Sequence, residues 1–115
     1  MKITDNTVSL KLNGDFRRVY RRGKSSVGGY VVVYALKTKR QINRLGLTVS
    51  SSVGKAVKRN RIKRLMRESW RDLDAKIPVG YDFVLVARTR AANKTKQQIE
   101  RDIEYSLKGL GLIEE

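Results

Sequence analysis

Cysteine and histidine are both missing from this 115-residue chain, and proline occurs once. Without thiols there is no disulfide and no disulfide-linked partner. Without either residue, zinc sites of the usual ligands and Cys–His nucleophilic catalysis are excluded. General acid–base chemistry is left to carboxylates, lysine or tyrosine. Acids are scarce as well, 11 Asp and Glu against 26 Lys and Arg. Asp72 and Asp74 close one predicted helix, and Glu100, Asp102 and Glu104 ride on another. A two-metal nuclease needs several carboxylates converging on its metals, and these are dispersed. No catalytic residue and no metal ligand is assigned to the isolated chain. Long apolar runs are lacking too: nothing approaches the roughly 18 residues of a membrane span, and the N-terminus has no signal-peptide stretch. A cytoplasmic protein without a membrane partner is expected.

What the chain has instead is positive charge. Its net charge is +15, and 40% hydrophobic residues are enough for a folded core rather than a basic tail. One domain spanning 1–115 is expected. The charge concentrates in Gly54 to Glu68, GKAVKRNRIKRLMRE, where seven bases (Lys55, Lys58, Arg59, Arg61, Lys63, Arg64, Arg67) meet one acid, Glu68. At about 100° per residue, Ile62, Leu65, Met66, Trp70 and Leu73 share one helix face. Asn60, Arg61, Arg64, Arg67 and Arg71 share the other, with Lys63 at its edge. A merely solvated face would carry acids in i,i+4 pairs, and only Glu68 and Asp72 are available. Crowded cations repel unless an anion arrives. Guanidinium groups match phosphate geometry, so a phosphodiester backbone is the expected partner.

The remaining pattern is a mixture of helix and strand. Val8, Leu10 and Leu12 alternate in a polar N-terminal segment, as a short strand or an extended arm. Asp15 is the expected cap of a short helix that Gly23 ends in left-handed fashion. Tyr30 to Leu36 is a strand by composition, with Tyr30, Val32, Tyr34 and Leu36 on one face. Arg44 to Ser50 is expected as its hairpin partner. Ser50, Ser51 and Ser52 are candidate caps for the long helix, whose regular part should run from about Lys58 to Ala75 before Pro78-Val79-Gly80. Tyr81 to Ala87 is apolar enough to be a central strand. Thr95 and Gln98 form a capping box, and Ile99, Ile103, Leu107 and Leu110 give the last helix a buried stripe. The order predicts an α+β sandwich, about three helices against a small mixed sheet.

Phe16, Tyr20, Tyr30 and Tyr34 support two readings. Aromatics at helical or strand spacing are most often core. Three of these four are tyrosines flanked by bases, which also suits a stacking platform for single-stranded bases. Trp70 and Phe83 are assigned to the core.

The string Gly54-Lys55-Ala56-Val57-Lys58-Arg59-Asn60-Arg61-Ile62-Lys63-Arg64, followed by Arg67-Glu68, resembles the signature of the bacterial ribonuclease P protein subunit. Asp15 to Tyr20, Gly23-Lys24-Ser25, Gly46 to Ser50 and Ala87-Arg88 resemble other segments of that family, so nearly the whole chain is covered. The resemblance implies a small α/β fold, shared with a ribosomal-protein domain, in which the long helix joins two parallel strands by a left-handed crossover. Most such crossovers are right-handed.

The resemblance also implies a role beside a catalytic RNA that removes the 5′ leader from precursor tRNA, with chemistry belonging to the RNA and its Mg²⁺. The protein itself is expected to bind no cofactor. The implied partners are the catalytic ribonuclease P RNA and precursor tRNA. The implied RNA-binding residues are Arg59, Asn60, Arg61, Lys63, Arg64 and Arg67, joined by Lys55 and Arg71 of the same basic segment. Phe16, Tyr20, Tyr30, Val32 and Tyr34 are the implied leader-binding cleft. The chain departs from the family at Ser51-Ser52, where many members are basic, at Lys55, where Asn is frequent, and at the weakly basic Asn13-Gly14. A ribosomal RNA-binding protein would share the charge and size without needing an aromatic groove. A stand-alone metal nuclease is disfavoured by the dispersed acids.

Overall fold

A computed structural model describes residues 2–114. Five strands form one sheet: β1 (Thr7–Ser9), β2 (Lys24–Val27), β3 (Val31–Lys37), β4 (Asn43–Val49) and β5 (Tyr81–Ala87), in the order β1-β4-β5-β3-β2. Three helices accompany it: α1 (Asn13–Arg22), α2 (Ala56–Leu73) and α3 (Lys96–Gly109). The α+β class and the mixed sheet are as expected. Among the described residues no helix is long and apolar enough to cross a membrane.

β5 lies at the centre because YDFVLVA is apolar on both faces, and Phe83, Val84 and Leu85 are all fully buried. It pairs parallel with β4 and antiparallel with β3. This corrects the expected hairpin: β3 and β4 flank β5 and do not touch as partners. The loop between them passes over the start of β5 and is fastened there. Thr38 donates both its N–H and its hydroxyl to the Gly80 carbonyl, at 2.7 and 3.0 Å. Buried Asn43 accepts the Tyr81 N–H and donates to the Pro78 carbonyl. Gly80 has φ +102°, a conformation that side chains rarely adopt.

The two faces of the sheet are covered unequally. α2 and α3 bury one face through Ile62, Leu65, Met66, Trp70 and Leu73, then Ile99, Ile103 and Leu107, against Val31, Val33, Leu45, Phe83 and Leu85. The apolar stripe of α2 is the one its periodicity predicts, and Trp70 meets Phe83 edge-on at 4.8 Å. The Trp70 indole N–H donates to Thr7 Oγ, whose hydroxyl donates to Asp74, so the N-terminal segment is pinned to the end of α2. α1 alone covers the opposite face, where Val19, Leu10 and Val84 make a small second core.

Several local expectations are corrected. Asp15 caps nothing; α1 is preceded by Leu12 without a side-chain cap, and Asp15 pairs with Arg18 and Arg44. Gly23 is extended, with φ −79°. It is glycine because a Cβ would sit 2.6 Å from the Val19 carbonyl oxygen and 2.9 Å from that of Ala35. The serines do not cap α2: Ser51–Val53 form a 3₁₀ turn, and Lys55 precedes the helix without a cap bond. α2 starts at Ala56 and ends at Leu73, and Asp74–Lys76 continue as a 3₁₀ turn. The Thr95–Gln98 capping box forms as read.

The turn between β2 and β3 is held by Arg88, which donates to the Gly28 carbonyl at 2.7 Å, and by one carboxylate. Asp102 of α3 accepts the N–H groups of Gly29, Tyr30 and Val31 at 2.8, 2.9 and 2.8 Å. Gly28 lies so close that a Cβ there would meet the carboxylate at 2.4 Å. Asp102→Asn keeps the shape but turns one acceptor oxygen into a donor facing an N–H. It should lower stability by about 1.5–3 kcal/mol, the scale of hydrogen bonds to charged groups, read by chemical denaturation.

Candidate nucleic-acid interface

Register sets the floor of a groove. On the face carrying α1, Val32 of β3, Val86 of β5 and Thr48 of β4 lie side by side across three strands. One row along, Tyr34, Val84 and Gly46 are similarly aligned, and α1 crosses the sheet there. Phe16 rests directly on Gly46: a Cβ at that glycine would lie 2.5 Å from the ring. Tyr20 meets Tyr34 edge-on at 4.9 Å and shares a 3.0 Å hydrogen bond with the Thr48 hydroxyl. α1 therefore covers one end of this face and leaves Val32, Val86 and exposed Val27 as an open apolar floor beside a tyrosine wall.

The structure divides the aromatics that the sequence grouped. Tyr20 and Tyr34 are partners at the groove, and half-buried Phe16 supports them while packing on the small core. Tyr30 does not join them. It precedes β3, its N–H is held by Asp102, and its ring packs toward the larger core with Lys94 4.9 Å above it. The strand's alternation was extended one residue too far toward the N-terminus. Thr48 and Val86 were missed, because their alignment with Val32 depends on β5 lying between β3 and β4.

The basic face of α2 is less uniform than its sequence. Asn60 is exposed, as are Lys55, Arg64 and Arg71. Arg64 is 3.8 Å from Glu68 and otherwise open, whereas Arg71 Nε donates to the Ile3 carbonyl at 3.3 Å. Arg61 donates to the Lys94 carbonyl at 3.0 Å, and Arg59 to that of Gly54 at 3.3 Å. Lys63 and Arg67 turn toward the sheet edge. There they line a 170 Å³ hollow with Phe16, Leu10 and Leu47. β1 stops at Ser9, opposite Leu45, so beyond that point β4 is paired only with β5. Past this short strand the basic helix and the aromatic groove border one surface.

α1 is held over the sheet by charge. Asp82 of β5 is fully buried and accepts a two-pronged bond from Arg44 at 2.8 and 2.7 Å; Arg44 reaches on to Asp15 at 3.3 Å. The hydrogen bond to Asp82 raises the Arg44 guanidinium above its already high range, with Asp15 adding to it against desolvation. Arg18 bonds Asp15 at 2.7 Å and approaches Asp82 at 3.9 Å.

A basic helix continuous with an aromatic groove on a half-covered mixed sheet defines a small nucleic-acid-binding α+β protein. A family model described as Ribonuclease P matches residues 5–111, and the chain belongs to that family. It is similar to the ribonuclease P protein component of Clostridioides difficile, 43% identical over 90% of this chain and 92% of the relative. The component from Clostridium botulinum strain Loch Maree is 45% identical over 90% and 94%. Among solved structures, the Staphylococcus aureus RNase P protein superposes with a TM-score of 0.82 at 36% identity, covering 91% of this chain and 96% of that one. The Thermotoga maritima protein gives 0.77 at 30%, covering 85% and 93%. The chain is thus a protein component of ribonuclease P, the ribonucleoprotein endoribonuclease of tRNA processing, and an RNA is among its partners.

The uneven α2 face makes a test. Arg64→Ala should leave stability unchanged and flatten the log–log salt dependence of RNA binding by roughly 0.7–0.9, the loss of one phosphate contact. Arg61→Ala should also lower stability by about 1 kcal/mol through its bond to Lys94. Salt titrations and denaturation of both variants decide it. Equal effects of the two substitutions on both quantities would argue against this division.

Proposed function

We propose that the α2 face binds the catalytic RNA through Arg59, Asn60, Arg61, Lys63, Arg64 and Arg67, with Lys55 and Arg71 at its ends. The groove of Tyr20, Val32, Tyr34, Thr48 and Val86 takes the single-stranded 5′ leader of precursor tRNA. One observation carries the reading. Lys63 and Arg67 share a hollow with Phe16, so one RNA surface can run from the helix around the open β4 edge to the groove.

Each part has a physical task. Bases stack on tyrosine faces regardless of sequence, while the surrounding arginines neutralise phosphates that would otherwise repel one another in the assembled complex. Four of the 11 acids are committed elsewhere: Asp15, Asp74, Asp82 and Asp102 each hold two elements together. In this reading the protein brings no cofactor, Mg²⁺ serves the RNA subunit, and the protein lowers the Mg²⁺ requirement by supplying positive charge. It also implies a cytoplasmic protein.

The groove is tested with reconstituted holoenzyme. Tyr34→Ala should weaken precursor binding by on the order of 1–3 kcal/mol, the usual range for a stacked base, and leave mature tRNA binding alone. Phe16→Ala should in addition destabilise the fold, by less than the roughly 3–5 kcal/mol of a fully buried phenylalanine. A Tyr34→Ala protein with an unchanged precursor-to-mature affinity ratio would return the tyrosines to a packing role.

A further inference from the structure

α1 has a second basic side. Arg18 and Arg22 lie roughly 200° around the helix from Phe16 and Tyr20, and they border two adjoining cavities of 320 and 260 Å³. The cavities share Arg22, Leu36 and Lys37. None of Tyr20, Val32, Tyr34, Thr48 or Val86 lines either one, so this hollow is separate from the groove. Its floor is apolar, built by Leu36 of β3, Tyr81 of β5 and Leu110 and Leu112 beyond α3. Its rim is basic: Arg22 and Lys24 on one side, Lys37 and Arg40 on the other.

The rim carries charge without countercharge. Among the described residues, Arg18 alone of the bases lining these cavities has acids within 4.0 Å, Asp15 and Asp82, and both already belong to the Arg44 network. Arg22, Lys24, Lys37 and Arg40 come from α1, β2, the end of β3 and the following loop. Four elements thus bring cations to one concavity, where repulsion raises the free energy until an anion enters. An apolar floor under a cationic rim is not the chemistry of a bare phosphate site. It suits a nucleotide, with the base against Leu36, Tyr81 and Leu110 and the flanking phosphates on Arg22, Lys24 and Lys37.

We propose that this hollow is a second RNA-contact site, which seats one unpaired nucleotide independently of the groove. Two RNAs offer that chemistry, the tRNA precursor and the catalytic RNA, and the experiment separates them. Lys24→Ala/Lys37→Ala removes two exposed rim charges and should fold as the parent does, which thermal denaturation checks. Arg90→Ala/Arg101→Ala removes the same net charge from exposed residues that line neither cavity and serves as the control. Affinity is measured across a salt series for the catalytic RNA alone and, in the holoenzyme, for precursor and mature tRNA.

Relative to the control, the rim variant should flatten the log–log salt slope by about 1.4–1.8, two phosphates at 0.7–0.9 each. A loss seen with the catalytic RNA alone gives the site to that RNA. A loss confined to the precursor gives it to the leader. Rim and control variants that match in affinity and slope for all three RNAs would overturn the proposal. Tyr34→Ala in parallel keeps the two sites distinct, since its precursor-selective loss does not depend on Lys24 or Lys37.

Discussion

Asp82 sits in the central strand with no solvent exposure, on the sheet face that only α1 covers. An ionised carboxylate in such a place loses several kcal/mol of hydration, and the Arg44 fork from the neighbouring strand restores much of it. The same guanidinium reaches Asp15, and Arg18 closes the set. One buried charge therefore fixes where α1 crosses the sheet. Everything on that face follows from the crossing: which valines stay uncovered, which tyrosines meet, and which side of α1 turns toward Leu36. Without Arg44, Asp82 would be buried without its close partner, a far larger penalty than the pair itself is worth in stability.

Four of the acids are used inward. Asp82 and Asp15 hold α1, Asp74 holds Thr7 and Asn6, and Asp102 holds the turn before β3. The other seven of the 11 acids stand against 26 Lys and Arg, too few to neutralise the surface. The result is a field of one sign that speeds encounter with polyanions, while the contacts of Arg61 and Arg59 show that some of that basic face is also structural. Charge count alone overstates how much of the basic α2 face is free. Arg64 and Asn60 are open, whereas Arg61 and Arg71 already donate to backbone carbonyls.

Local physics was legible wherever one element decided the outcome. The α2 stripe from Ile62 to Leu73, the strand Tyr81–Ala87 and the Thr95–Gln98 box could all be read from periodicity and capping chemistry. Apart from the start of α2, what failed depended on partners distant in the chain. Gly23 looked like a left-handed helix end, yet it is small because the Ala35 carbonyl passes beside it. Lys24–Val27 carries too little apolar pattern to announce a strand and becomes one by pairing with β3. Tyr30 and Tyr34 have the same parity in sequence, but the strand begins between them, and Asp102 takes Tyr30 to the other side. The groove floor needed the strand order, which short-range rules assign wrongly when a later strand inserts between two earlier ones.

The sheet is covered unequally. Two helices bury the larger core, where Trp70, Phe83 and Ile103 lose all exposure. A single helix of 10 residues cannot do the same for five strands on the other side. It buries Val19 against Val84 and stops, and the apolar surface at Val27, Val32 and Val86 stays accessible. An exposed apolar strip invites self-association, and the arginines of α1 and the neighbouring lysines oppose this by repelling a second copy while attracting a polyanion. The half-covered sheet thus lies within a field of one sign, which favours an anionic neighbour over a second copy of the chain.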